Sequence, residues 1–445
     1  MIDLNKKYKV ILLSSLLLFF IGILGGCTKQ DSSEASIYLA SSINSVNKIV
    51  VVVRNNELNL INLNDTKNII TLDKDGAFAH PLIAPDKNFI AYLKDSNLYI
   101  SNKEGVKSKV VDNINISSYI WLDNSNLIYS KDAKGIYVYN TEKQSSTPYI
   151  ENEFNYKNLT LGKNREVYAE KYKTYEREGK KSIEDFGVVL ISLDNKNEKM
   201  IIKSIPSDMK TNLGMYPVIA GISKDFKFLF IWEHPHAGSL AADGMSLACY
   251  NTESNQYIKY SNPEIVTLGY KDNLAPSETN SEMLALIQGD DRMMNNNKTL
   301  GILNVANGSF EKLSPEGKIA MTPYYSEDGK TLLYAASEKV VDGTGNTSKW
   351  LSSPHYIYSI NTETKQVTQL TQLNKSMGGF DFAPEYINDK DFVFLRSTSK
   401  DDIALWKIEN GKESKIIDNL LFYTDQIKAQ NYYGHFYNDN FIDIK

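Results

Sequence analysis

Apolar and polar positions alternate along this chain in a fixed rhythm: a polar turn, an apolar run of about five residues, a second polar turn and another apolar run. The rhythm predicts paired strands. Ile49 to Val53 pairs with Leu58 to Leu63, Phe89 to Leu93 with Leu98 to Ser101, and Leu127 to Ser130 with Ile136 to Asn140. Longer units follow, pairing Glu166 to Glu170 with Val188 to Leu193, Phe228 to Trp232 with Met245 to Tyr250, and Met283 to Ile287 with Thr299 to Val305. Leu332 to Ala336 with Tyr356 to Ile360 and Phe392 to Arg396 with Ile403 to Ile408 complete about eight units, each continued by an outer strand such as Val367 to Leu370.

The turns repeat as well. Ala-Pro-Asp-Lys-Asn-Phe-Ile-Ala-Tyr at Ala84 to Tyr92 returns as Ser-Glu-Asp-Gly-Lys-Thr-Leu-Leu-Tyr at Ser326 to Tyr334, and Ser223 to Phe226 is a further copy. Asp in these turns is expected to cap its own backbone, which makes it a structural residue and not a catalytic acid. In the drifted copies Asn164, and Glu278 or Asn280, would fill the turn. The second turn starts Asn-Thr-Glu at Asn140, Asn251 and Asn361, while Asn307-Gly308 and Asn410-Gly411 read as type I′ dipeptides.

A four-stranded unit repeated radially is a β-propeller blade. The fold expected is therefore all-β, a propeller of four-stranded blades, with eight blades preferred and seven possible. From about Lys48 to Asp418 the pattern is similar to the propeller repeats of the TolB family and of prolyl oligopeptidase-like peptidases, with the Asp328 copy nearest to that pattern. The resemblance implies fold and no chemistry. The first unit begins at its second strand, so Tyr432 to Tyr437 and Phe441 to Ile444 are expected to return and close the ring.

At the amino terminus Lys6, Lys7 and Lys9 precede an apolar run from Val10 to Leu24, too short to span a membrane comfortably. It ends in Leu24-Gly25-Gly26-Cys27, which resembles the lipobox of bacterial lipoproteins. That resemblance implies cleavage before Cys27 and a lipid on its thiol. The expected organisation is a signal peptide over 1–26, a lipidated tether over 27–47 and the propeller over 48–445, anchored to the cell membrane and facing away from the cytoplasm. The net charge is −5, and loss of three lysines with Asp3 leaves about −7, with no basic stripe for nucleic acid. Cys249 is then the remaining cysteine and reads as a buried thiol. A monomer without cofactor is expected.

Function is expected where the repeat is broken. The gaps between second and third strands are long in four successive units, Lys171 to Phe186, Glu233 to Gly244, Gln288 to Lys298 and Ser337 to Pro354, and alternation of strand direction puts them on one face. Tyr172, Tyr175, Arg177, His234, His236, Asp290, Asp291, Arg292 and Trp350 are the candidate binding residues there. Their mixed chemistry suits a protein or polysaccharide of the cell envelope. The alternative is solvated insertions without a ligand. His234 and His236 would point the same way in an extended chain, but two local ligands fall short of a metal site, so none is assigned. No hydrolase elbow, zinc-protease motif or phosphate loop occurs. A glycan lyase or hydrolase using carboxylates at the axis is the alternative function, and a subunit of an envelope assembly complex is another.

Overall fold

Phe228 to Trp232 shows why the second strands read as unbroken apolar runs. All five residues are buried, Phe228, Phe230 and Trp232 in one cluster with Leu284 and Leu286, and Leu229 and Ile231 in another with Tyr168 and Val188. Successive side chains of a strand point to opposite faces of its sheet, so this strand is covered on both sides. Each sheet is packed between two others.

The computed structural model describes residues 48–114, 118–208, 210–261, 263–290, 296–339, 354–373, 380–399, 402–420 and 441–445. They form eight antiparallel sheets, the eight blades of a β-propeller. Blade 1 holds β1 (Ile49–Arg54), β2 (Glu57–Asn62) and β3 (Asp65–Lys74), and blade 2 holds β4 (Phe78–Ile83), β5 (Phe89–Lys94), β6 (Asn97–Asn102) and β7 (Lys107–Val111). Blade 3 holds β8 (Tyr119–Trp121), β9 (Asn126–Lys131), β10 (Gly135–Asn140) and β11 (Ser145–Ile150). Blade 4 holds β12 (Asn155–Leu161), β13 (Glu166–Arg177), β14 (Lys180–Ser192) and β15 (Asn197–Lys203). Blade 5 holds β16 (Met215–Ile222), β17 (Phe228–Pro235), β18 (Met245–Asn251) and β19 (Gln256–Lys259), with β20 (Val266–Thr267) added beside β18. Blade 6 holds β21 (Leu274–Pro276), β22 (Met283–Gln288), β23 (Thr299–Asn304) and β24 (Phe310–Lys312). Blade 7 holds β25 (Lys318–Tyr325), β26 (Thr331–Glu338), β27 (Tyr356–Asn361) and β28 (Val367–Gln369). Blade 8 holds β29 (Phe380–Tyr386), β30 (Phe392–Ser399), β31 (Asp402–Glu409) and β32 (Lys412–Ile417).

The ring closes as the missing first strand requires. β33 (Ile442–Ile444) pairs with β1 in the register Val50↔Ile444, Val51↔Asp443 and Val52↔Ile442, and so becomes the innermost strand of blade 1. The expected role of Tyr432 to Tyr437 lies outside the described residues.

The repeated turns are built alike. In blade 7 Ser326 Oγ donates to Asp328 Oδ1 at 2.7 Å, and the same carboxylate oxygen accepts from Lys330 N at 3.0 Å. Blade 5 repeats this with Ser223, Asp225 and Lys227 at 2.7 and 3.1 Å. In blade 6 Asn280, rather than Glu278, accepts the turn amide of Glu282. Asn410 and Gly411 both have positive φ, as a type I′ turn needs. The expectation for Asn307-Gly308 is corrected: only Gly308 has positive φ, because the loop is longer and Gly308 N bonds back to Asn304 O.

Five first strands, those of blades 2, 4, 5, 7 and 8, carry a bulge at a similar level. His80, Asn158, Thr322 and Ala383 take φ near +50° there, uncommon for residues with a Cβ. At five blade junctions a side chain of one blade accepts a backbone N–H from the next blade's first strand. Asp443 accepts from Ile83, the Ser130 hydroxyl from Tyr156, Glu170 from Ile219, Asn273 from Thr322, and the Thr322 hydroxyl from Ala383. Thr322 and Ala383 lie within bulges that take their amides out of the ladder, whereas Ile83 and Ile219 are in register with Ile90 and Ile231, and each bond satisfies an amide of an innermost strand.

Candidate binding face

First strands run away from the face where blades are joined, so the second-to-third connections emerge on that same face. Among the described residues blade 4 departs most from the repeat. β12 stops pairing with β13 at Asn155↔Tyr172, and β15 stops pairing with β14 at Lys203↔Gly187. Beyond these points Lys173 to Arg177 and Lys180 to Glu184 pair only with each other. The expected loop from Lys171 to Phe186 is thus corrected to a projecting β-hairpin. Its charged residues on both faces hid the strand alternation, and its turn, Glu178-Gly179, has positive φ at both residues. At its base Gly187, with φ +128°, passes so close to Ile202 that a Cβ would lie 2.0 Å from the carbonyl oxygen.

Beside this base, the Tyr216 ring stacks on His234 with centroids 4.4 Å apart and meets His236 at 5.2 Å. Tyr216 and His234 are directly paired across β16 and β17, which puts their rings on one side. Gly214 leaves the space into which His236 packs: a Cβ there would come within 2.6 Å of the imidazole. Lys157 stands over Tyr172 at 5.1 Å and Tyr216 at 6.0 Å, and its ammonium lies 3.6 Å from Glu170 and 3.7 Å from Asp185. Burial lowers the basicity of His234, while its Nδ1 lies 2.7 Å from Pro235 O, so the ring is neutral near pH 7. Neutral imidazole, tyrosine and a partly offset lysine make a platform for stacking and hydrogen bonding.

The expected site residues divide sharply. His234 and His236 come together through Tyr216, and Tyr172 joins them from beneath Lys157, itself buried. Tyr175 and Arg177 stand at the hairpin's far end, exposed to solvent. Asp290 is in blade 6, accepting from Asn297 Nδ2 at 2.6 Å. Asp291, Arg292, Trp350 and the lipidation residue Cys27 lie outside the described residues. Among the described residues no three His, Cys, Asp or Glu side chains gather to hold a metal ion. Cys249 is buried, and its thiol is pushed up to about 12 by that burial, which keeps it unreactive.

Lys157, Asp185 and Tyr216 were not foreseen. Lys157 and Tyr216 belong to first strands, which carry no clear apolar run in the sequence. Two axial carboxylates, one on a first strand and one on the expected closing strand, were not singled out either. Glu385, on the bulged β29, receives Lys48 Nζ at 3.2 Å, and burial raises its pKa. Burial also pushes Asp443 up to about 7, opposed by the Ile83 amide and Lys445.

No protein family model matches the chain, and no curated protein matches its sequence. Solved structures share its fold. A prolyl endopeptidase is 10% identical with a TM-score of 0.49, over 79% of this chain and 51% of the other. An oligogalacturonate lyase, solved with manganese, is 13% identical with a TM-score of 0.42, over 77% and 85%. TolB from Acinetobacter baumannii is 11% identical with a TM-score of 0.32, over 84% and 65%. The chain spans about half the length of the endopeptidase.

Proposed function

We propose that this chain is a lipid-anchored propeller, held outside the cytoplasm through Cys27, that binds a protein or polysaccharide partner of the cell envelope without catalysing a reaction. The supporting observation is where apolar surface is left open. Among the described residues eight large apolar side chains are exposed, and five of them, Tyr175 (41%), Ile183 (55%), Ile205 (45%), Leu213 (52%) and Leu240 (47%), belong to blades 4 and 5. Tyr175 and Ile183 are on the projecting hairpin, Ile205 and Leu213 on the connection into β16, and Leu240 on the short helix α1 (Gly238–Ala241) after β17. All three elements emerge on the face that carries Tyr216, His234 and His236. Exposed apolar side chains on elements that emerge on one face, with Tyr175 and Ile183 on opposite sides of the hairpin, support a contact surface there.

The test is capture from detergent-solubilised envelope by the full-length protein and by an Ile183→Ser, Leu213→Ser, Leu240→Ser variant. The reading expects a partner retained by the parent and lost by the variant at unchanged melting temperature. Equal retention sinks it. A glycan lyase or hydrolase is the second reading, favoured by Glu385 and Asp443 at the axis.

A further inference from the structure

The hairpin that projects from blade 4 is set apart from the ring it grows out of. In β14 Gly187 pairs with Lys171 and Asp185 with Tyr172, which leaves Phe186 as the extra residue of a bulge at the hairpin's base. A bulge bends its strand and interrupts the ladder. Below it the strand is locked, with Val188, Val189 and Ile191 fully buried. Above it the pairing runs from Lys173↔Glu184 to Arg177↔Lys180, and none of the residues 173–184 is buried. A two-stranded hairpin with no covered face is marginally stable in water. The bulge is therefore a pivot, and the part above it opens at little cost to the ring.

The two sides of the hairpin differ. Glu170 accepts Ile219 N of blade 5, and residues two apart on a strand share a side, so Thr174 and its partner Ile183 face blade 5. On that side lie Tyr216, His234 and the exposed His236, while Ile183 keeps 55% of its surface in water. Tyr175 is on the other side with Lys173, whose ammonium lies 2.8 Å from Glu153 on the connection from blade 3. Both partners of this pair are open to water, so it holds the hairpin upright only weakly. Tilting toward blade 5 breaks the pair and covers Ile183 and His236 together.

We propose that the hairpin is a lid: it pivots at Phe186, is latched upright by Lys173 and Glu153, and closes toward blade 5 over the platform of Tyr216 and His234. The lid rests on the binding-face reading above and deepens it, yet it is tested on the protein without any partner, so that one can fail while the other stands.

Hydrogen exchange read by mass spectrometry on the full-length protein in detergent reports the mobility. Amides of residues 174–183 are expected to be protected less than about a hundredfold relative to an unstructured peptide, and those of Val188 to Ile191 more than about a thousandfold. Protection of the hairpin by about a hundredfold or more would overturn the lid. Disulfide trapping reports the direction, because the two Cα atoms must come within about 7 Å. Ile183→Cys with His236→Cys is expected to cross-link at least about tenfold faster than Tyr175→Cys with His236→Cys, Cys249 being buried in both. A smaller ratio, or no cross-link from Ile183→Cys, would overturn closure toward blade 5. Leu213→Cys, next to the Gly214 that leaves room for His236, replaces His236→Cys if that variant does not fold. Adding Glu153→Gln to the Ile183→Cys, His236→Cys pair is expected to speed trapping about two- to fivefold, and an unchanged rate would overturn the latch.

Discussion

Deleting the five residues Phe441 to Lys445 is expected to abolish cooperative unfolding of the whole ring. Phe441 and Ile442 are 3% and 6% exposed, and burial of such side chains contributes about 1.5–3 kcal/mol each. The segment also exchanges Ile49 N→Lys445 O at 2.8 Å and Lys445 N→Ile49 O at 2.9 Å, and accepts Ile83 N on Asp443 Oδ2 at 2.7 Å. At about 1 kcal/mol net for each hydrogen bond, the loss totals about 6–9 kcal/mol. Exposure of Val50, Val51 and Val52, now fully covered, adds to it. A typical domain has only about 5–15 kcal/mol in all. The deletion also opens the edge of β1 to pairing with other chains. Urea unfolding followed by near-ultraviolet circular dichroism reads this directly, because buried tyrosines occur in nearly every blade. The expected trace is broad or shifted to much lower urea, with concentration-dependent aggregation. A truncated chain that unfolds in one transition at the parent midpoint would refute the closure.

Three further expectations follow from side chains at the axis and in blade 8. Asp443 sits near 7 when folded against an ordinary 3.8, so the folded state holds its proton more tightly, and stability from this group is present below about pH 4 and lost as pH rises through 7. Asp443→Asn should therefore gain about 1–2 kcal/mol over the parent at pH 8, allowing for water in the channel, and nothing at pH 4; equal urea midpoints at pH 8 would contradict this. Thr322→Val removes the acceptor for the Ala383 amide and should cost about 1–3 kcal/mol in urea denaturation, against less than 1 kcal/mol if that amide finds water. Arg396 lies over the Phe394 and Trp406 rings and forks onto the fully buried Asp381 at 2.6 and 2.9 Å, so Asp381→Ala should cost about 3–5 kcal/mol in the same assay; a loss under 1 kcal/mol would refute the burial argument.

The second and third strands were legible because both faces are buried, which turns Val50 to Val53 or Phe228 to Trp232 into unbroken apolar runs. Turns were legible because Ser, Asp and Asn act on their own backbone there. First strands were not. Phe-Ala-His-Pro-Leu-Ile and Asn-Tyr-Lys-Asn-Leu-Thr-Leu carry a proline or alternating polar residues where a bulge re-aims the chain, and proline argues against a strand on general grounds. Everything these strands contribute to the axis and the binding face, including Lys157, Tyr216 and Glu385, was hidden with them. The hairpin of blade 4 was legible as a departure from the repeat but not as strands, since neither of its faces is covered and its residues do not alternate. Asp290 and Tyr175 were selected for sharing a face, yet sharing a face does not bring side chains into contact.

Hydroxyl-radical footprinting of the full-length protein in its native envelope, compared with the same protein purified, tests the account most directly. Tyr175, Ile183, Ile205, Leu213 and Leu240 should be protected in the envelope, while Ile69, Ile70 and Val106, equally open but on outer strands and turns of blades 1 and 2, should label alike in both. Equal labelling of the first five in both samples, or protection confined to the other three, would contradict a binding face on blades 4 and 5.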